Sequence, residues 1–215
     1  MSNSYLRFPP SPGLPLAPQQ WGPLYQDQYS NVLRLYFNQL SNNLGQLASP
    51  LGGQRLSFPF GAFSDSTTQT IASTTTAYPI TLDTTSISNG VKLSSGSRFV
   101  VEQEGVYNLQ FSIQFNSNSN AEQDADVWVR LNGVDIPASN SRFGLPPRKS
   151  SGDPFHTLGA LNFVSSMKAN DYLQLVWSST STDVSIVSYA TGTSPTRPAI
   201  PSVIASLTFV SALVQ

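Results

Sequence analysis

The sequence predicts an all-β protein, an antiparallel jelly-roll sandwich of about eight to ten strands behind an extended arm and one short helix. Three observations carry that expectation. From Ser57 onward apolar residues recur at every second position, and the stretches that do so are separated by Gly, Pro, Asn and Asp. Before that point apolar residues recur at spacings of three and four. Earlier still, prolines are too dense for either regular element.

The arm spans residues 1–24 and carries Pro9, Pro10, Pro12, Pro15, Pro18 and Pro23. Each proline fixes φ and removes a backbone donor, so the segment is extended. Leu6, Phe8, Leu14, Leu16 and Trp21 are interspersed among them, which a solvated linker does not need. Two readings follow. The arm packs back on its own domain, or it docks into another protein and orders there as a particle-anchoring segment; the second is the expectation here.

Residues 25–56 hold the helix and a hinge. Over Gln26 to Gln46, Tyr29, Leu33, Tyr36, Leu40 and Leu47 form a short heptad seam, with Asn43 in the remaining slot and Val32, Phe37 and Leu44 widening it. A helix of this length is marginal alone, so the seam implies a helix bundle or a groove. Gly45, Pro50, Gly52 and Gly53 end it.

Residues 57–215 are the predicted β domain. In GVYNLQFSIQF, Tyr107, Leu109, Phe111, Ile113 and Phe115 share one face. Val127, Val129 and Leu131 alternate likewise and lead into Asn132-Gly133, the dipeptide that tight type I′ hairpins favour, with Val134 and Ile136 returning. Leu173, Leu175 and Trp177, then Val184 to Val187, then Val203 to Val210 repeat the pattern. The runs Thr67 to Ile71, Thr74 to Leu82 and Arg98 to Val101 complete the set. Tyr107, Phe111, Phe115, Trp128, Trp177 and Phe209 lie in these strands and are expected in the core or at a trimer interface.

The order GVYNLQFSIQF, VWVRLNGVDI, LNFVSSMKANDYLQLVWSS and SVIASLTFV resembles the jelly roll of the tumour necrosis factor and complement globular-head superfamily. From Gly61 to Val210 the chain also resembles a β domain of marine and cyanobacterial phage proteins, through FGAFSDSTTQTIASTTTAYPITLDTT, PPRKSSGDPFH and GTSPTRPAIPSVI. The helix YQDQYSNVLRLYFNQL is similar to segments placed ahead of such domains. These resemblances imply a homotrimer on the surface of a tailed-phage virion, working by binding rather than catalysis. The superfamily's receptor-binding and calcium-binding loops are not recognisable, so no ligand residue carries over.

Composition narrows the remaining chemistry. Charged residues are 11% of the chain, against about 25% in ordinary globular proteins, and the net charge is −1, so there is no broad positive field for nucleic acid. There is no cysteine and one histidine, which leaves no thiol nucleophile and no zinc set. No signal peptide or membrane span is visible, so synthesis in a host cytoplasm without export or membrane insertion is expected. His156 lies near Arg148, Lys149 and Asp153, but nothing nearby supplies the nucleophile turn that a Ser-His-Asp site requires, and those three charges read as a loop closure or subunit contact. Glu122, Asp124 and Asp126 alternate at a strand entry, either as a calcium candidate or as a solvated turn.

The expectation is therefore a non-enzymatic virion protein with no catalytic residues, cofactor or committed metal site, acting as a trimeric capsid decoration or cement protein. A tail or head fibre tip that binds a host surface receptor, through loops such as 116–125 and 137–155, is the alternative, and a virion-borne hydrolase is a remote third. Decoration leads because no shaft repeat follows the helix. The partners expected are itself and phage capsid or tail proteins.

Overall fold

The computed structural model describes residues 9–20, 22–48 and 58–212. The chain divides into two units, residues 1–57 and 58–215. In the first, α1 runs from Pro23 to Leu47, three residues beyond the expected start and one beyond the expected end. Pro23 explains the earlier start, because a proline in the first turn forfeits only a donor that has no intrahelical partner there. Tyr29, Leu33, Tyr36 and Leu40 are half-buried along one stripe, Leu47 is exposed, and no residue of the helix is fully buried. Tyr25 extends the stripe and stacks on Tyr29 at 6.2 Å between ring centroids.

The second unit is an antiparallel β sandwich. Its strands are β1 (Phe60–Asp65), β2 (Gln69–Thr70), β3 (Tyr78–Pro79), β4 (Thr84–Asn89), β5 (Val91–Ser94), β6 (Arg98–Val101), β7 (Gly105–Ser117) and β8 (Gln123–Leu131). There follow β9 (Val134–Asp135), β10 (Ser141–Leu145), β11 (Phe155–Met167), β12 (Tyr172–Ser179), β13 (Val184–Ile186), β14 (Gly192–Thr193), β15 (Thr196–Arg197) and β16 (Val203–Ser211). Sheet A has the order β4-β1-β16-β7-β11, and sheet B the order β5-β6-β12-β8-β10. Within sheet A, Ile113 pairs with both Gly159 and Val203, and Ser117 with both Phe155 and Val184. A strand has two edges, so β11 covers one edge of β7 while β16 and β13 share the other.

Alternation explains the core. Tyr107, Leu109, Phe111, Ile113 and Phe115 of β7 face inward with Val203, Ala205 and Leu207 of β16. From sheet B they meet Val127 and Val129 of β8, Leu173, Leu175 and Trp177 of β12, and Phe99 of β6 in one cluster. Phe63 packs on Phe99 at 5.3 Å and Phe115 on Trp177 at 6.3 Å between centroids. The Tyr107 hydroxyl donates to the Gln103 carbonyl at 2.7 Å, which satisfies the one polar atom of that buried ring. Burial pushes the Tyr107 phenol above its ordinary pKa. Asn132 and Gly133 both have positive φ, 51° and 84°, as the β8–β9 hairpin expected from the dipeptide requires.

Two expectations about the early strands are corrected. Between Thr67 and Leu82 only Gln69–Thr70 and Tyr78–Pro79 are paired. The rest is a loop organised by Asp65, whose carboxylate accepts from Thr67 Oγ1 at 2.6 Å, Gln69 Nε2 at 2.9 Å and Thr81 Oγ1 at 3.0 Å. Threonines in a β-branched run here serve a side-chain network, not a ladder. Asp83 does similar work beside it: bonds from the Ser66 hydroxyl, and then from Thr84, hold its carboxyl below the usual aspartate range.

Candidate functional site

The outer faces of the two sheets show what the sandwich offers to other molecules. On sheet A, β7 places Val106, Asn108, Gln110, Ser112 and Gln114 outward. Their cross-strand neighbours on β11 are Ser166, Val164, Asn162, Ala160 and Leu158, and on β16 Ile204, Ser206 and Thr208. None of these carries a charge. Leu158 and Val164 are each 54% exposed and Ile204 is 50% exposed. Beyond them lies β11 itself, a 13-residue edge strand, FHTLGALNFVSSM, with no proline and no Lys, Arg, Asp or Glu. Leu161, which lies beside Phe111 on the inner side, remains 40% exposed.

Sheet B presents Asp124, Asp126, Trp128 and Arg130 from β8, Arg142 from β10, Arg98 from β6 and Lys92 from β5. Arg142 binds both oxygens of Asp126, at 3.0 Å from Nε to Oδ1 and 3.0 Å from Nη2 to Oδ2, and lies 3.6 Å from Asp124. Those bonds to Asp126 raise the guanidinium pKa further. Arg130 and the Trp128 indole both donate to Asp135 Oδ1, at 2.5 Å and 2.6 Å, and hold that carboxyl below the usual aspartate range, Arg130 contributing most. Arg130 also lies 5.8 Å from the centre of the Trp128 ring.

Of the two places expected for the six strand aromatics, core or trimer interface, Trp128 does not take the core. Tyr107, Phe111, Phe115 and Trp177 are buried and Phe209 packs against the core. Trp128 is half-buried on the outer face of sheet B. Its cross-strand neighbour Val176 shares that face and is fully buried although it lies outside the core cluster, so the outer-face side chains are what cover it. The signal was present in VWVRL: if Val127, Val129 and Leu131 face inward, Trp128 and Arg130 face out. Beside the indole is a shallow cavity of about 380 Å³ lined by Asp126, Asp135, Asn140 and Ser178 together with the apolar Trp128, Ile136 and Ala138.

The calcium candidate is corrected by the same geometry. Glu122 precedes β8 and is exposed, while Asp124 and Asp126 turn to the Arg142 guanidinium. No group of three or more His, Cys, Asp or Glu side chains converges as a metal centre among the described residues. The two alternating aspartates are ion-pair partners of the next strand, which β8–β10 pairing places opposite them at Arg142↔Asp126 and Gly144↔Asp124.

His156 opens β11, and its Nδ1 lies 2.6 Å from the Tyr189 hydroxyl, with the two rings edge to face at 5.5 Å. Asp153 belongs instead to a small turn, with its backbone bonded to Lys149 and Ser150 and its carboxylate 4.0 Å from Lys149 Nζ. The loop residues thus close a turn. Arg148 joins that closure through its backbone, donating to the Ser119 carbonyl at 2.8 Å.

Of the five arm residues expected to anchor, Leu14 is 47% exposed and Leu16 is 95% exposed. Leu6, Phe8 and Trp21 lie outside the described residues. No helix among the described residues is long and apolar enough to cross a membrane. No family model matches the chain, and no curated protein matches it.

Proposed function

We propose that the chain is a non-enzymatic structural protein of a phage particle, a trimeric decoration or cement protein whose arm grips a neighbouring particle protein. The observation that carries the reading is the outer face of sheet A. It is uncharged across β7, β11 and β16, and it ends in a 13-residue edge strand with no proline and no Lys, Arg, Asp or Glu. Soluble chains protect such edges with charge, proline or a covering element, so a face of this kind is made to be covered. Two further copies related by a threefold axis cover it with the same surface on every subunit. The resemblance of the strand order to the tumour necrosis factor and complement-head jelly roll supports that symmetry.

The arm and helix support the second half of the reading. Leu14 and Leu16 are exposed in an extended proline-rich segment, and α1 buries no side chain completely while keeping an apolar stripe from Tyr25 to Leu40. Both conserve apolar surface for a partner. The test is light scattering of the full chain, followed by cryo-microscopy of particles made with and without residues 1–24. A trimer, and density on the head that disappears with the truncation, is the expected result. A monomer at micromolar concentration overturns the assembly, and density at a tail tip replaces decoration with receptor binding.

A further inference from the structure

We propose that the cavity beside Trp128 is a binding site for a neutral saccharide. The inference stands on one subunit and does not depend on the assembly proposed above. Its volume of about 380 Å³ falls within the range of about 300–1,000 Å³ common to small-molecule sites. The walls are the Trp128 indole with Ile136 and Ala138, and Asp126, Asp135, Asn140 and Ser178 add polar groups among them, a pairing that suits a ligand with an apolar C–H face and a rim of hydroxyls.

Charge selects the class. Each carboxylate at the cavity has its own guanidinium: Asp126 is clamped by Arg142, and Asp135 by Arg130. A cationic ligand would meet those guanidiniums, and an anionic one would meet the carboxylates. A neutral polyol meets neither obstacle. Asp135 accepts from Arg130 and Trp128 on Oδ1, and its side chain is 60% exposed and lines the cavity, so the carboxylate keeps accepting capacity there. Asn140 touches Asp126 only at 3.4 Å and adds an amide, while Ser178 adds a hydroxyl from β12. These groups accept and donate in the mixed pattern that sugar hydroxyls need.

The rim is also built to stay in place. Ala138 holds a positive φ of 62°, a conformation unusual for a residue with a side chain. Ser139 pins it: its hydroxyl donates to the Ile136 carbonyl at 2.8 Å and accepts from the Val129 backbone at 3.1 Å. A loop fixed before the ligand arrives loses little freedom when it binds.

The experiment is saturation-transfer NMR on the full chain with four probes: methyl α-glucoside, methyl β-galactoside, methyl α-mannoside and N-acetylglucosamine. At least one is expected to bind with a dissociation constant on the order of millimolar. Trp128→Ala should abolish the transfer. Because that substitution also uncovers Val176, Asp135→Asn and Asn140→Ala are the deciding variants; each should weaken binding about tenfold while leaving the melting temperature within about 2 °C. No transfer to any of the four probes overturns the proposal. So does transfer that survives both surface variants, or a lysine amide that competes with the sugar for the site.

Discussion

The two outer faces of the sandwich rest on one core and arise from the same two-residue alternation, but they spend their polar positions differently. Sheet A uses Ser, Thr, Asn and Gln between Leu158, Val164 and Ile204. Sheet B uses Asp126, Asp135, Arg130 and Arg142 in paired contacts around Trp128. Amide and hydroxyl groups lose less than ions when water leaves, because they can find new hydrogen bonds in a contact at modest cost. Ions held in exposed pairs keep a surface wet and single. A chain with only 11% charged residues has placed them unevenly, and the unevenness is what singles out sheet A as the face proposed to be covered.

The largest expected effect comes from putting charge where there is none. Leu158→Asp together with Val164→Asp should convert the proposed trimer to a folded monomer, since each buried unpaired charge opposes assembly by about 3–5 kcal/mol. Light scattering with circular dichroism reads both properties. The control on the other face, Ser178→Asp, should leave the trimer intact. If both variants dissociate the assembly, the contrast between the faces is wrong.

The two tryptophans on sheet B give the next comparison. Trp177 is buried in the core at 1% exposure, so Trp177→Ala should destabilise the fold by about 3–5 kcal/mol in denaturant titration. Trp128→Ala removes a bond to Asp135 and cover over Val176, and should destabilise by about 1–3 kcal/mol. Equal losses would mean that Trp128 is a structural residue of the same kind as Trp177.

Acid should probe two aspartates whose carboxyls are held low, Asp83 in the loop before β4 and Asp135 on sheet B. Asp83 and Asp135 have folded pKa values below those of the unfolded chain, so the unfolded state binds protons first as pH falls. Their contribution is complete above the ordinary aspartate value of about 3.9 and is lost as pH drops below it through the folded values. Melting curves from pH 7 to pH 3 should therefore be flat in this respect until about pH 4, and Asp83→Asn should reduce the later fall. The smallest effect is expected for Arg142→Gln. Its guanidinium is 62% exposed, so the variant should lower the melting temperature only slightly, and less still in high salt.

Elements with long, regular patterns were legible in the sequence. β7 alternates from Gly105 to Phe115, and the Asn132-Gly133 hairpin and the helix seam at Tyr29, Leu33, Tyr36 and Leu40 stand where their spacing puts them. β4, with the sequence TTSISN, was not legible, because an exposed edge strand has no apolar alternation to display. β10, SRFGL, is held by pairing with β8 rather than by its own composition. The edge β11 hid for the opposite reason. Apolar residues fall on both of its sides, Leu161 inward and Leu158 and Val164 outward, which erases the period of two. The cavity was partly legible, since the period that buries Val127 and Val129 turns Trp128 outward; its partners from residues 135 to 140 required the hairpin to fold back.

The position of β16 sets an order of events. Residues 203–211 come late in the chain, yet they lie in the middle of sheet A, between β7 and β1. Until that segment has left the ribosome, the β1–β4 pair and the β7–β11 pair have no strand to join them, and Phe63 and Leu109 lack the neighbours that close the core. A nascent chain must hold two unjoined half-sheets with open edges while it waits. Contacts between residues about a hundred positions apart, such as Val203 with Ile113, are slow to form and leave such edges open to other chains. β16 therefore joins the two half-sheets in one step that must follow the synthesis of both.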